Sequence, residues 1–164
     1  MGLSPRSGPP YIAVVGPHDA TQTELDQAEA IGAGLGRAGA VLVCGGLGGV
    51  MHAAARGCER VGGTSIGILP GDDRDPGSTH LTVAISTGMG ETRNAIIVRT
   101  SDAIVAISGE FGTLSEVAFA LKLAKPVVGL GTWELAKRGR AVDAIVRVET
   151  PEAAVEEALR RAKR

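Results

Sequence analysis

The chain has 164 residues, of which 44% are hydrophobic, 21% charged and only 2% aromatic, and its formal net charge is −1. This length and composition are typical of one folded α/β domain. The balanced charge argues against a nucleic-acid partner, which needs a cationic surface, and the scarcity of aromatic side chains leaves no stacking platform for single strands. No apolar run reaches the length of a membrane span, and no signal peptide is apparent. We therefore expect a cytoplasmic protein with neither a nucleic-acid nor a membrane partner.

Strand and helix patterns alternate along the chain after a predicted disordered lead at residues 1–10. Apolar runs predict strands at 11–16, 41–44, 64–69, 81–86, 103–108, 126–130 and, more weakly, 144–148. Helical periodicity predicts helices at 23–38, 50–61, 92–100, 114–123 and from Pro151 to the C-terminus. This alternation predicts a Rossmann-like, three-layer α/β/α fold with a mainly parallel sheet, formed by a single nucleotide-binding domain over residues 11–164.

The residues that commonly bind metals are scattered in this sequence. Cys44 and Cys58 are the only cysteines, and we expect both to be buried thiols in a reducing compartment. His18 follows the first strand and could line a cleft there, although a solvated or core imidazole is the simpler interpretation. The acidic segment at 71–75, GDDRD, could hold a divalent ion but favours a solvated, turn-rich loop. We expect neither a metal site nor a resident cofactor.

The first of two glycine-rich turns, CGGLGGVM at 44–51, lies between the second strand and its helix. Its glycines could cradle a phosphate, or they could allow the helix to pack closely on the strand. The dinucleotide fingerprint is missing, because the first strand lacks G-x-G-x-x-G and the second ends without an acidic residue. A Walker lysine is missing as well, so the sequence argues against an NAD site and against a P-loop nucleotide site. The candidate ligand-binding residues of this turn are Gly45, Gly46, Gly48 and Gly49.

The second turn, GEFGTLSE at 109–116, joins a buried strand to a helix. A strand that runs through glycine into a helix directs free N–H groups and the positive end of the helix dipole at one spot, which favours a phosphate. Thr113 and Glu116 have the spacing of a capping box, which is a purely structural role. Alternatively, the Thr113 hydroxyl and the N–H groups of 112–114 hold a phosphate while Glu116 faces the ligand. The spacing is compatible with both interpretations.

Three segments resemble the LOG family of phosphoribohydrolases, which are also described as lysine decarboxylase-like proteins. SGEFGTLSE resembles that family's P-G-G-x-G-T-x-x-E signature, and CGGLGGVM and GMGETRN extend the resemblance over roughly the whole domain. LTVAISTGMGETRNAIIV and KPVVGLGTWE are more similar to a bacterial Rossmann-like branch of this superfamily that is related to molybdenum-cofactor carrier proteins.

The LOG resemblance implies a specific site. Arg93 and Glu116 would be the catalytic pair, and Gly109, Gly112 and Thr113 would bind a 5′-phosphate. The implied reaction is N-glycosidic cleavage of a nucleoside 5′-monophosphate, with the carboxylate stabilising the ribosyl cation or activating water. The alternative role is a non-catalytic carrier or binder of a nucleotide or molybdenum cofactor. For Arg93, a surface or helix-start salt bridge is the structural alternative.

Two substitutions separate the chain from the LOG pattern. Glu110 replaces the second glycine of Pro-Gly-Gly, and Asn94 replaces the lysine after the arginine. Both changes make the site more negative, which disfavours a phosphate dianion. The partner that we expect is a small nucleotide or another phosphate-bearing molecule. A homodimer or higher homo-oligomer is also expected, because the helices at 92–100 and 114–123 are strongly aliphatic and the resembled families are dimeric.

Overall fold

Seven parallel strands form the central sheet of the computed structural model, which describes residues 8–162. Helices cover both faces, so the predicted Rossmann-like α/β/α fold is confirmed. The strands are β1 (Tyr11–Val15), β2 (Val41–Cys44), β3 (Thr64–Leu69), β4 (Val83–Ser86), β5 (Ala103–Ile107), β6 (Val127–Leu130), β7 (Ala136–Lys137), β8 (Arg140–Ala141) and β9 (Val146–Val148). The helices are α1 (Gln22–Arg37), α2 (Val50–Arg60), α3 (Asn94–Thr100), α4 (Phe111–Lys122) and α5 (Pro151–Ala162), and a 3-10 helix (Gly90–Arg93) leads into α3. Residues 1–7 of the predicted disordered lead lie outside the described range.

The strand order of the sheet is β4-β3-β2-β1-β5-β6-β9, and every pair is parallel. From β1 the chain builds outward through β2, β3 and β4, and then returns to place β5 on the other side of β1. The order therefore reverses between β1 and β5. In open α/β sheets, ligands bind in the crevice that forms at such a reversal, outside the carboxyl ends of the strands.

The helices divide into two layers around an aliphatic core. Helices α1, α2 and α5 pack on one face, and α3 and α4 pack on the other. Cys44 and Cys58 are both buried and free, as predicted. No helix within residues 8–162 is long and apolar enough to cross a membrane.

The structure corrects several predicted elements. The helix expected at 92–100 is a 3-10 helix followed by the short α3, and α4 begins at Phe111, three residues before the predicted start. The antiparallel pair β7 and β8 was not predicted. Its two-residue strands are too short to show a period, and its turn depends on positive φ values of +52° at Arg138 and +75° at Gly139.

Candidate functional site

Three loops and one buried arginine meet at the carboxyl edge of the sheet, where the strand order reverses. The loops follow β1, β2 and β5. Close contacts join them, since a Cβ on Gly16 would lie 2.8 Å from the carbonyl oxygen of Ile107 and 2.8 Å from a methyl group of Val50. The second turn also lies close to the start of α1, because an interaction with the Ser108 side chain lowers the pKa of Glu24.

Arg93 is only 6% exposed and lies against the first glycine turn. One guanidinium nitrogen donates to the Gly45 carbonyl oxygen at 3.4 Å, and another donates to the side-chain oxygen of Asn94. Its Nε has no partner among the described residues. A Cβ on Gly45 would lie 2.7 Å from Nη2, so the arginine occupies space that only glycine leaves open. Neither Glu91 nor Glu116 forms an ion pair with Arg93 in the described chain, so the surface salt-bridge interpretation is wrong.

Glu116 is the buried carboxyl group of this region. It is 7% exposed and makes no hydrogen bond with any described residue. Burial raises the pKa of Glu116 to about 8, the charge of Arg93 opposes that rise, and the charge of Glu91 adds to it. At neutral pH most of the Glu116 carboxyl is therefore protonated.

The capping box that the spacing of Thr113 and Glu116 allowed, as one of two interpretations, does not form. The N-cap is Glu110, its side chain makes no capping bond, and Thr113 is a buried residue of the first turn. The predicted donor set of 112–114 also needs correction, because the Leu114 N–H donates to the Glu110 carbonyl oxygen at 3.0 Å. Within the described chain the free donors are the N–H groups of 111–113.

The second glycine turn is open where a ligand would approach. A Cβ on Gly112 would meet nothing within 4 Å. Gly109 has a φ of +122°, and a Cβ there would lie 2.5 Å from the Thr113 side chain. Gly109 is therefore required by the backbone and by packing, whereas Gly112 leaves free space in front of the unbonded N–H groups.

The first glycine turn, in contrast, is filled by its neighbours. A Cβ on Gly46 would lie 2.7 Å from Leu69, and one on Gly49 would lie 2.1 Å from the His18 carbonyl oxygen. The Val50 N–H at the start of α2 donates to the Pro17 carbonyl oxygen at 3.1 Å. Close packing explains why positions 46 and 49 are occupied by Gly46 and Gly49. Gly45 touches Arg93, and Gly48 touches the ring of the exposed His18.

Two aromatic rings lie at the start of α4 that the sequence analysis did not identify. Phe111 is 76% exposed, and its ring centroid is 5.7 Å from that of Trp133. The loop that carries Trp133 is tied to the second turn, because the Thr132 hydroxyl donates to the Ser108 carbonyl oxygen at 2.5 Å. Composition suggested that no stacking platform exists, yet two of the four aromatic side chains are adjacent here. The position of Phe111 inside GEFGT was the available signal.

The two substitutions relative to the LOG pattern have different consequences. Asn94 accepts a hydrogen bond from Arg93 and donates to the Ser115 hydroxyl at 3.4 Å, so it links the arginine to α4. Glu110 is exposed, and water therefore screens its charge. The added negative charge consequently lies at the rim of the crevice.

Comparisons with known proteins agree with this architecture. The model of the SLOG cluster4 family matches residues 9–155. An uncharacterized protein of Archaeoglobus fulgidus is 38% identical over 144 residues, covering 88% of this chain and 91% of that protein. The structure of the molybdenum cofactor binding protein from Rippkaea orientalis is 36% identical, with a TM-score of 0.84 and coverage of 93% of this chain and 96% of that one. A Moco carrier protein structure from Chlamydomonas reinhardtii is 34% identical, with a TM-score of 0.80 and coverage of 94% and 97%. The chain therefore belongs to the SLOG cluster4 family.

Proposed function

We propose that this protein binds a phosphate ester of a pterin or nucleotide in the crevice between β1 and β5, and that it acts as a carrier of the molybdenum cofactor. The observation that carries the proposal is the pairing of a buried arginine that lacks a carboxylate partner with a helix start whose N–H groups are free. A bound anion stabilises a buried cation and also accepts hydrogen bonds from unbonded N–H groups. The similarity to molybdenum cofactor binding and carrier proteins supports a pterin as the class of ligand.

The residues present fit the phosphate and ring of such a cargo. The free N–H groups of Phe111, Gly112 and Thr113 would hold the phosphate, and Arg93 would contribute the charge. A planar ring would stack against the exposed face of Phe111 beside Trp133. The molybdenum cofactor is cargo in this proposal, and the chain supplies recognition and shielding.

The protonation state of Glu116 favours binding over hydrolysis. With a pKa of about 8, only about a tenth of this carboxyl is ionised at pH 7. A neutral carboxyl can donate a hydrogen bond to a phosphate or ring acceptor, whereas a carboxylate would repel the phosphate. Stabilisation of a ribosyl cation needs the carboxylate, which is the minor form at that pH.

Copurification tests the carrier proposal. Protein expressed in a host that makes the molybdenum cofactor should retain pterin, measured by fluorescence after oxidation, and molybdenum, measured by mass spectrometry. The Arg93→Gln variant should lose at least about 90% of the bound pterin, because the anion loses its buried counter-charge. The matched control, Arg37→Gln, removes an exposed arginine at the end of α1 and should retain it. Equal pterin contents of wild type and Arg93→Gln would refute the proposal.

A second candidate function is hydrolysis of nucleoside 5′-monophosphates. It is favoured by the burial of Glu116 near Arg93 and by the resulting raised pKa, a combination that is common at catalytic sites. If the protein is this enzyme, base release should rise with pH up to about 8 and should be absent in Glu116→Gln. Chromatography of a monophosphate panel measures the release. Wild type without release from any monophosphate at pH 6 to 9 rejects this candidate.

A further inference from the structure

Asn94 lies between the two groups that we assign to the phosphate, the Arg93 guanidinium and the start of α4. Its side-chain oxygen accepts a hydrogen bond from Nη1 of Arg93, and its side-chain nitrogen donates to the Ser115 hydroxyl oxygen at 3.4 Å. The Ser115 hydroxyl in turn donates to the Gly112 carbonyl oxygen at 2.6 Å. These three hydrogen bonds form a relay that connects the buried arginine with the first turn of α4.

The chemistry of the groups fixes the direction of every bond in this relay. A guanidinium has donors only, so the end of the Asn94 amide that faces Arg93 is the oxygen. The NH2 group of the amide then faces Ser115, whose oxygen accepts from it and whose hydrogen is directed at the Gly112 carbonyl. Each side chain therefore accepts from the preceding group and donates to the next one.

The relay ends at a peptide group whose N–H is free. The Gly112 carbonyl belongs to the same peptide group as the Thr113 N–H, which is one of the free donors at the start of α4 within the described chain. A peptide group that accepts a hydrogen bond at its oxygen becomes a stronger donor at its nitrogen. The Nε of Arg93, at the other end of the relay, also lacks a partner among the described residues. An unbonded donor thus lies at each end of the relay.

A carboxamide at position 94 can make both bonds of the relay. Aspartate at this position could accept from Arg93 but could not donate to Ser115, and lysine could donate but could not accept. Aspartate would also pair with Arg93 and neutralise the charge that a bound anion needs. The lysine of the LOG pattern is therefore unable to join the arginine to α4 in this way.

We propose that Asn94 is the positioning residue of the phosphate site. Through Ser115 it aligns the Arg93 guanidinium with the N–H groups at the start of α4, so that both bind the same anion. Asn94 acts without touching the ligand, and its neutral amide leaves the full charge of Arg93 to the anion. This inference rests on the proposed phosphate site and names the residue on which the affinity of that site depends.

A double-mutant cycle of AMP affinity, measured by calorimetry, tests the relay. Asn94→Ala should weaken AMP binding at least about tenfold, because the buried arginine loses its only side-chain partner, and Ser115→Ala should weaken it about fivefold. The double variant should bind AMP as Asn94→Ala does, because both side chains act through one relay. Asn94→Asp should bind AMP more weakly than Asn94→Ala, because its carboxylate pairs with Arg93 and repels the phosphate.

NMR spectroscopy separates positioning of the donors from support of the fold. Saturating AMP should shift the Thr113 N–H proton of wild type downfield, and the shift should be smaller in Ser115→Ala. Ser115 is exposed, so this variant should keep the urea midpoint of wild type, and it tests the relay even where Asn94→Ala does not fold. A merely structural role would lower the urea midpoint and leave the Thr113 shift of the bound state unchanged.

Thr100→Ala and Thr100→Asp make the matching changes at the last residue of α3 and should keep the AMP affinity of wild type. Absence of AMP binding in wild type would overturn the proposed phosphate site itself. With AMP bound by wild type, unchanged affinity in both Asn94→Ala and Ser115→Ala would overturn the relay alone. Losses that add in the double variant would also overturn it, because they would show that the two side chains act separately.

Discussion

At the scale of single residues, Glu116 determines how the site responds to pH. Its pKa in the folded protein is about 8, above the ordinary value of 4.5, so the folded state keeps a proton that the unfolded chain loses. The stability associated with this proton is complete below pH 4.5 and is lost as pH rises through 8. Above that range the fold contains a buried carboxylate that Arg93 compensates only in part.

The Glu116→Gln variant should therefore resist alkaline conditions better than wild type. Between pH 5 and 9 the free energy of unfolding of wild type should fall relative to that of the variant by on the order of a few kcal/mol. Urea denaturation at several pH values measures the difference. Glu110→Gln neutralises an exposed carboxylate six residues earlier, and its free energy of unfolding should depend on pH in the same way as that of wild type. Parallel pH curves for Glu116→Gln and wild type would show that this carboxyl is ionised in the fold.

A substitution at Gly112 tests whether the start of α4 is a ligand site or only a tight turn. Because a Cβ at this position meets nothing within 4 Å, Gly112→Val should leave the free energy of unfolding unchanged within about 0.5 kcal/mol. The added side chain should nevertheless block the free N–H groups and weaken AMP binding at least tenfold. Ala118→Val places the same side chain on an exposed position of α4 and serves as the control. Unchanged AMP affinity in Gly112→Val would exclude the start of α4 as the phosphate site.

At the scale of elements, the sequence predicted strands and most helices because the buried strands are continuous aliphatic runs and the helices carry clear periods. The start of α4 was less predictable. Thr113 and Glu116 have capping-box spacing, but Glu110 begins the helix without a side-chain cap. The burial of Arg93 could not be predicted either, because it depends on the absence of a side chain at Gly45, forty-eight positions away.

A real capping box lies at the start of α1, in the TQTE segment. The Thr21 hydroxyl accepts from the Glu24 N–H at 3.3 Å, and the Glu24 carboxylate accepts from the Thr21 N–H at 2.8 Å. Thr21→Ala should lower the free energy of unfolding by about 1 kcal/mol. Glu110→Ala removes an N-cap side chain that makes no such bond, and it should change that energy by less than about 0.5 kcal/mol. Equal losses in both variants, measured by urea denaturation, would contradict this assignment of caps.

At the scale of the whole molecule, one face of the sheet carries an exposed apolar patch. Val83 and Ile85 are each 44% exposed and lie beside Ile66 and Ile68 in the parallel register, on the face that α3 and α4 cover. Exposed aliphatic side chains on a sheet edge favour association. We propose that this face forms the interface of a homodimer. The cytoplasmic location and the lack of a nucleic-acid partner also remain predictions.

Light scattering at micromolar concentration tests the dimer. Wild type should have twice the mass of the chain, and Val83→Asp/Ile85→Asp should have the mass of a monomer, because two carboxylates at the interface would be buried without partners. Val142→Asp, at an exposed valine far along the chain, should leave the dimer intact. A monomeric wild type would contradict the proposed interface.

A crystal structure of the protein with bound AMP tests the proposed phosphate site directly. We expect phosphate density within hydrogen-bonding distance, about 3 Å, of the N–H groups of Phe111, Gly112 and Thr113, with the Arg93 guanidinium facing the same anion. Phosphate bound at the start of α2 or only at the β7–β8 hairpin, with the start of α4 empty, would contradict the proposed site.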